Sequence, residues 1–237
     1  MNPPLVLPIK GGGWQTLSPS KIIAVGLNYH DHVQESLNYN AQRLGLPERP
    51  VLFCKTPNVL IGPESPIVLP QQPYIERFEN PRTDFEAELA IVIGKPCKRI
   101  SVQEAAQVCA FYTCFNDVSQ RNIQKSDPSG WFRGKSFDTF GPIGPILVPF
   151  EELGPEPDLW IRAILNGKVM QEARTSQMIF KPLVLVAYIS QNISLIPGDV
   201  IITGTPGGIG ELHPGDTIEI QIEGIGSLIN PVVSESI

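Results

Sequence analysis

The sequence predicts a mixed α/β protein in which β-structure dominates. Short apolar runs, several of them closed by Gly, Pro or Asn-Gly, outnumber the stretches with a helical period. Proline accounts for 24 of 237 residues and is spread among Val, Ile and Leu, which indicates rigid turns between short strands rather than disorder. The order of the elements lacks the regular strand–helix alternation of a doubly wound sheet.

The individual elements follow from local patterns. Asn166-Gly167 predicts a hairpin turn between two strands. HDHVQES resembles a short helix after a strand, SVQEAAQVCAF opens with a capping box formed by Ser101 and Glu104, and Pro182 predicts a break or a helix start within TSQMIFKPLVLVAYISQN. The runs with strand character are KIIAVGLNY, VLFCK, ELAIVIG, AFYTCFND, LWIRAILNG, DVIITGT and DTIEIQIEGIG.

Composition excludes several classes of partner. The formal charge of −6 and the absence of a Lys/Arg cluster argue against a nucleic-acid-binding surface. Four cysteines without paired spacing indicate buried free thiols in a reducing compartment. With no secretory signal pattern and no apolar run near the roughly 20 residues of a membrane span, we expect a cytoplasmic protein that has no membrane partner. The length predicts a short N-terminal extension, residues 1–20, before one domain, residues 21–237.

The run DFEAELAIVIG, residues 84–94, alternates in the manner of one half-buried β-strand and carries two acids on an otherwise apolar face. Glu86 and Glu88 would project about 7 Å apart from that face, and no Lys or Arg lies in the run to compensate them. Asp117 ends another strand-like run, so the three carboxylates could form an all-oxygen site for Mg²⁺ or Mn²⁺. The alternative is that Glu86 and Glu88 lie on an exposed strand face.

Other residues could carry acid–base chemistry. His32 and Glu35 are three apart on the predicted helix, so they could form a general base or simply a surface pair. Lys135, among aromatics and glycines, could stabilise a developing negative charge or be a solvated loop lysine. GTPGGIG, residues 204–210, lacks the Lys-Ser/Thr ending of a phosphate-binding loop and predicts a tight turn, with Thr205 lining a pocket.

Taken together and in this order, seven segments between about residue 21 and residue 233 resemble the fumarylacetoacetate hydrolase family. They are VGLNYHDHVQE, FCKTPNVLIGPESPI, DFEAELAIVIG, FNDVSQRNIQ, RGKSFDTFGPIGP, LNGKVMQEARTSQMIF and GDVIITGTPGGIG. The resemblance implies a β-sandwich roll, a homodimer, and one Mg²⁺ or Mn²⁺ held by Glu86, Glu88 and Asp117.

The resemblance also implies roles for the remaining candidates. His32 and Glu35 would form the dyad that activates water or moves a proton, on a segment that orders over the substrate, and Lys135 would stabilise an enolate or oxyanion. The positions expected to contact the substrate or its carboxylate are Arg121, Gln124 and Thr205.

Three departures from the family pattern bear on specificity. Leu27 stands where many members carry Arg, and Asn122 replaces an Asp that commonly follows the family arginine. The larger N-terminal domain of some members is missing, which argues against fumarylacetoacetate itself as the substrate.

The function expected from these features is metal-dependent chemistry on short 2,4-dioxo acids through a stabilised enolate. Hydrolysis of acylpyruvates or decarboxylation of oxaloacetate is the leading expectation. The alternatives are an isomerase or decarboxylase of hydroxymuconate-type compounds, an oxaloacetate tautomerase, and a non-catalytic protein that binds metal or dicarboxylates. We also expect the polar segment 37–50 to be mobile without ligand and to act as a lid.

Overall fold

A computed structural model describes residues 4–39, 46–71, 77–128 and 130–236. The predicted mobile segment at 37–50 includes residues 40–45, which lie outside this description. The strands, in chain order, are β1 (Leu5–Pro8), β2 (Trp14–Leu17), β3 (Ile22–Gly26), β4 (Val51–Lys55), β5 (Leu60–Ile61), β6 (Ile67–Leu69), β7 (Thr83–Phe85), β8 (Ala87–Ile93), β9 (Cys109–Asn116), β10 (Ser119–Gln120), β11 (Gly141–Pro149), β12 (Trp160–Leu165), β13 (Lys168–Arg174), β14 (Val200–Ile202), β15 (Gly210–Glu211), β16 (Thr217–Ile222) and β17 (Gly226–Ser234).

Helices are short and few among the described residues, as the sequence predicts. They are α1 (His30–Tyr39), α2 (Val102–Ala105), α3 (Arg121–Ser126), α4 (Phe132–Lys135), α5 (Phe150–Leu153) and α6 (Pro182–Asn192), with 3₁₀ turns at Pro57–Val59 and Thr175–Gln177.

Two large sheets enclose the core. One has seven strands in the order β4-β3-β14-β8-β9-β11-β5, and the other has five in the order β13-β12-β16-β17-β6. The central strands β8 and β9 of the first sheet pack against β12, β16 and β17 of the second, and the buried hydrophobic cluster includes Ile91, Phe115 and Leu228. The mostly β, sandwich-roll prediction is therefore confirmed.

Two smaller sheets complete the fold. Strands β10, β7 and β15 form a three-stranded antiparallel sheet beside the large one, and this small sheet places the start of α3 next to β7. Strands β1 and β2 form a hairpin whose Leu7 and Leu17 are buried and whose end bridges from Ile9 to Leu147 of β11.

Several local predictions are confirmed. Asn166 and Gly167 have φ values of 52° and 80° and join β12 to β13, as a type I′ hairpin turn requires. Ser101 Oγ accepts from the Glu104 amide while the Glu104 carboxylate accepts from the Ser101 amide at 2.8 Å. Pro182 is the first residue of α6, where its missing N–H costs no helical hydrogen bond.

Two predictions are corrected. The run at 84–94 is not one half-buried strand, because the chain leaves the small sheet at Glu86 and enters the large sheet at Ala87. Strand β8 lies between β14 and β9, and all seven of its residues are buried, so its apolar character on both faces reflects a central position. All four cysteines are free, but only Cys109 and Cys114 are buried, whereas Cys97 is partly exposed and Cys54 is exposed.

No helix within the described ranges combines the length and the apolar character required to cross a bilayer.

Candidate functional site

The three predicted acids converge because β8 and β9 are antiparallel neighbours. Ala87 pairs with Asn116, so the start of β8 and the end of β9 meet, and the Asp117 amide donates to the Glu86 carbonyl at 2.9 Å. The Glu86 amide in turn donates to Asn116 Oδ1 at 3.0 Å. One carboxylate oxygen from each of Glu86, Glu88 and Asp117 lies within 4.8 Å of the others, and all three residues are buried.

Lysine and arginine side chains from elsewhere in the chain surround these acids. Lys135 Nζ donates to Glu86 Oε2 at 2.7 Å and to Asp117 Oδ2 at 2.6 Å. Lys55 Nζ donates to Asp117 Oδ1 at 2.6 Å, and the Arg121 guanidinium donates to Glu86 Oε1. The run itself contains no basic residue, and the compensating cations come from β4, α3 and α4.

The cations are distributed unevenly among the acids. Burial alone would raise the pKa of Glu86, but Arg121 and Lys135 outweigh it and hold that pKa well below its usual range. Among the described residues no lysine or arginine forms a salt bridge with Glu88, whose carboxylate accepts the Gly204 amide at 2.6 Å. Burial, with Asp117 and Glu86 adding repulsion, raises the pKa of Glu88 well above its ordinary value. Burial also lowers the pKa of the Lys55 ammonium to about 8.

The donor set fits a hard divalent cation. A carboxylate oxygen that accepts one hydrogen bond keeps a second lone pair, so the oxygens bonded to Lys55, Lys135 and Arg121 could still act as ligands. Three carboxylates in one buried cluster are the ligand type that Mg²⁺ and Mn²⁺ prefer.

Buried polar atoms without a hydrogen-bond partner also concentrate here. Buried polar atoms are almost always hydrogen-bonded, so unpaired ones mark places where a further group binds. In the described part of the chain the buried side-chain atoms without a partner are Tyr29 Oη, His32 Nδ1, Asn116 Nδ2 and Ser136 Oγ. His32 lines the cavity described below, Asn116 and Ser136 adjoin Asp117 and Lys135 in sequence, and burial together with the charge of Glu88 raises the pKa of Tyr29.

The predicted dyad lies on α1. His32 Nδ1 is 3.6 Å from Glu35 Oε2, too far for a hydrogen bond, and that carboxylate oxygen accepts the Gly208 amide at 3.1 Å. Burial would raise the pKa of Glu35, but His32 and the Gly208 amide outweigh it, so the pKa lies below its ordinary value. Glu35 is therefore ionised at neutral pH and can orient the imidazole of His32.

A cavity of about 290 Å³ joins these groups. Asp117 and Glu35 do not line it, but each lies against a residue that does, Asp117 against Lys135 and Glu35 against His32. Phe53 and Trp131 supply aromatic walls, and Leu27, at the position where a family arginine was expected, lines it with a positive φ of 57°. The predicted site residues that line the cavity are His32, Glu86, Glu88, Arg121, Gln124, Lys135 and Thr205.

Arg121 is held by acids rather than free to move. Its Nε donates to Asp84 Oδ2 at 2.8 Å and its Nη1 donates to Gln124 Oε1 at 2.7 Å. Asn122 supports other groups, since its Oδ1 accepts the Arg82 amide at 2.7 Å. The Asp-to-Asn departure therefore leaves Arg121 supported by Asp84.

Sequence reasoning missed three buried polar residues around the site. Lys55 ends the strand-like run VLFCK, where a lysine is usually solvated. Asp84 lies in the same run as the strand acids, two positions before Glu86, and that spacing could have identified it. Gln171, in β13, had no local signal, because its partners are distant in sequence.

The comparisons with known proteins define the class of this chain. The family model described as fumarylacetoacetate (FAA) hydrolase C-terminal matches residues 21–233, so the chain belongs to the fumarylacetoacetate hydrolase family of enzymes. A curated relative, the mitochondrial oxaloacetate tautomerase Fahd2a of Rattus norvegicus, is 39% identical over 222 residues, which cover 91% of this chain and 67% of that protein.

Two solved structures are similar over most of their length. The 5-carboxymethyl-2-hydroxymuconate delta-isomerase of Mycobacterium smegmatis is 42% identical with a TM-score of 0.81, covering 94% of this chain and 82% of that one. The fumarylpyruvate hydrolase of Pseudomonas aeruginosa, determined with Mn²⁺ and pyruvate, is 28% identical with a TM-score of 0.84, covering 99% of both chains.

Proposed function

We propose that this chain is a divalent-metal-dependent enzyme that moves a proton at C3 of a short 2-oxo dicarboxylic acid, with oxaloacetate as the simplest substrate. The observation that carries the proposal is the cavity, which brings an imidazole, a lysine and the acid cluster to one enclosed space. Its volume of about 290 Å³ suits a small acid rather than a long one.

The charge of the site supports an anionic substrate with two carboxylates. With Asp84, which also pairs with Arg121, four buried carboxylates are matched in number by four basic side chains, Lys55, Arg82, Arg121 and Lys135. A divalent cation would therefore add two uncompensated positive charges in a buried place, which is costly unless an anion accompanies it. Oxaloacetate is a dianion at neutral pH and would restore the balance.

The cation would be held by Glu86, Glu88 and Asp117, and when bound it would polarise the 2-keto oxygen of the substrate and so acidify C3. His32 then removes a proton from C3 or returns it, while the ionised carboxylate of Glu35 orients the ring. Lys135 donates a hydrogen bond to the oxygen on which negative charge develops.

The relatives favour a proton shift over bond cleavage. The tautomerase and the isomerase are 39% and 42% identical to this chain, whereas the hydrolase is 28% identical. A proton shift also needs the fewest parts, because it requires only one acid–base group and one stabilised enolate.

The direct test is an assay of the conversion of the enol of oxaloacetate to its keto form. The reaction is monitored through the decrease in the absorbance of the enol. We expect a rate above the spontaneous one that depends on added Mg²⁺ or Mn²⁺ and is abolished by a chelator. A rate equal to the background with both metals would contradict the proposal, and binding of Mn²⁺ and oxaloacetate without turnover would favour the non-catalytic alternative.

Cleavage chemistry is the second candidate. The dyad could activate a water as well as move a proton, and the hydrolase structure matches this chain from end to end. Pyruvate formation from acetylpyruvate or from oxaloacetate would identify hydrolysis or decarboxylation. Comparing these rates with the tautomerisation rate under the same metal conditions would rank the three reactions.

We further propose a homodimer, to be tested by light scattering.

A further inference from the structure

Gln171 of β13 is a buried amide in which both N–H groups and the carbonyl oxygen form hydrogen bonds. Its Nε2 donates to Thr205 Oγ1 at 2.8 Å and to the Pro206 carbonyl at 2.7 Å. Its Oε1 accepts the amide of Ala87, the residue between Glu86 and Glu88, at 2.9 Å. The side chain thus connects the strand that carries the acids to the loop between β14 and β15.

That loop, residues 203–209, lies directly against β13. Gly204 and Gly208 have φ values of +94° and +93°, a region that favours glycine. A Cβ atom on Gly208 would lie 2.2 Å from the Met170 carbonyl oxygen, so the two backbones approach as closely as glycine permits.

The same loop donates hydrogen bonds to one carboxylate of the acid cluster and to the carboxylate of the His32–Glu35 dyad. The Gly204 amide donates to Glu88 Oε2 at 2.6 Å, and the Gly208 amide donates to Glu35 Oε2 at 3.1 Å. A displacement of the loop would therefore move a metal-ligand candidate and the carboxylate of the dyad together.

We infer that Gln171 is a positioning residue that fixes the 203–209 loop and, through its two glycine amides, the orientation of Glu88 and Glu35. Gln171 also orients the hydroxyl of Thr205. The Thr205 oxygen accepts a hydrogen bond from Gln171, so the Thr205 O–H is left to donate to an acceptor on a molecule bound in the cavity. The catalytic consequence rests on the proposed function, but the placement of the loop does not.

The test uses two variants and a matched control. Gln171→Met keeps the length of the side chain and removes all three hydrogen bonds. Gln171→Glu keeps the acceptor for Ala87 and, whether or not its carboxyl is protonated, loses at least one of the two donors to the loop. Asn230→Leu is the control, because Asn230 is also a buried amide whose Nδ2 donates to two backbone carbonyls, at Gly62 and Ser65, and neither it nor these partners line the cavity.

The first readout is amide hydrogen exchange of a peptide covering residues 203–209 in the metal-free protein. We expect Gln171→Met to raise its exchange rate more than about tenfold, as loss of two hydrogen bonds produces, Gln171→Glu to raise it by a smaller or equal factor, and Asn230→Leu to leave it unchanged. Unchanged exchange in Gln171→Met would overturn the inference, and so would an equal increase in the control.

The second readout is function. Both Gln171 variants should bind Mn²⁺ and turn over substrate about 10–100-fold less well than the wild type, and the control should stay near it. If the wild type neither binds Mn²⁺ nor turns over oxaloacetate, the proposed function fails and the exchange comparison still decides the role of Gln171. If the wild type does both and Gln171→Met equals it, the inference is wrong.

Discussion

The ammonium nitrogen of Lys135 lies 2.6 Å from Oδ2 of Asp117 and is almost completely buried. The same nitrogen donates to Glu86 Oε2, so this lysine joins the acid after β9 to the acid before β8. Its helix is fixed close to α3, because a Cβ on Gly134 would meet the Gln124 amide at 2.8 Å. Lys135 therefore serves as a counter-ion for the acids and as a hydrogen-bond donor that faces the cavity.

Replacing Lys135 by Met should separate these two roles. We expect kcat to fall by about 10²–10³, because one donor to the developing negative charge is lost. Mn²⁺ should still bind, since removal of a positive charge from an acid cluster does not disfavour a cation. Steady-state kinetics and calorimetric titration measure both quantities. Lys125→Met, at an exposed lysine that lines the same cavity, is the control, and an equal loss of kcat there would argue for a general charge effect.

Glu88→Gln should abolish metal binding without unfolding the protein. Glu88 contributes one of the three clustered carboxylates, and it is the one that no lysine or arginine neutralises among the described residues. A neutral amide relieves the repulsion from Glu86 and Asp117, so the metal-free variant should unfold at the wild-type urea concentration or higher. Unchanged Mn²⁺ binding in a calorimetric titration would remove Glu88 from the proposed ligands.

His32→Ala should give the opposite pattern. The imidazole lines the cavity but is not one of the proposed metal ligands, so the affinity for Mn²⁺ should stay within about threefold of the wild-type value. The kcat should fall by about 10²–10⁴, as expected for the loss of a general base. Val33→Ala, at a buried neighbour on the same helix, controls for local packing. A variant that retains more than a tenth of wild-type kcat would assign proton transfer to another group.

The sequence predicts those parts of the fold and of the site that depend on short spacing. Ser101 with Glu104, Asn166 with Gly167, and His32 with Glu35 interact within four residues of one another, so a local pattern suffices to identify them. The same holds for the strand character of the acid-bearing run. Its break at Glu86 was missed because the break depends on the small sheet formed by β10, β7 and β15.

What the sequence does not reveal is the set of contacts made between distant segments. Lys55 meets Asp117 across 62 positions, and Gln171 meets Ala87 across 84. A lysine or a glutamine in a strand is usually solvated, and its burial is set by tertiary neighbours that a single sequence does not specify. The sequence alone does not reveal the charge compensation of the acids for this reason.

Lys55→Met tests how much the buried compensation contributes to stability. Lys55 is fully buried, and its loss leaves one side of Asp117 without a counter-charge. Breaking such a pair should lower the free energy of unfolding by about 3–5 kcal/mol in the metal-free protein. Urea unfolding measures the change, and Lys21→Met, which breaks a more exposed pair with Asp199, should cost less. A loss below that of the control would show that Asp117 is stabilised by other means.

The carboxylate of Glu35 should make stability depend on pH in a defined direction. Burial opposes its ionisation, but His32 and the Gly208 amide favour it, so its pKa in the folded protein lies below the reference value of 4.5. The ionised Glu35 carboxylate therefore contributes its full stabilisation above about pH 4.5. This stabilisation is lost as the pH falls through the pKa that Glu35 has in the folded protein, because the carboxyl is then protonated in both the folded and the unfolded state. The difference in unfolding free energy between wild type and Glu35→Gln should therefore be constant near neutral pH and shrink below about pH 4.5. Urea titrations between neutral and acidic pH, with a chelator present, measure this difference. If it grows as the pH falls, the contacts of Glu35 with His32 and Gly208 do not favour its charged form.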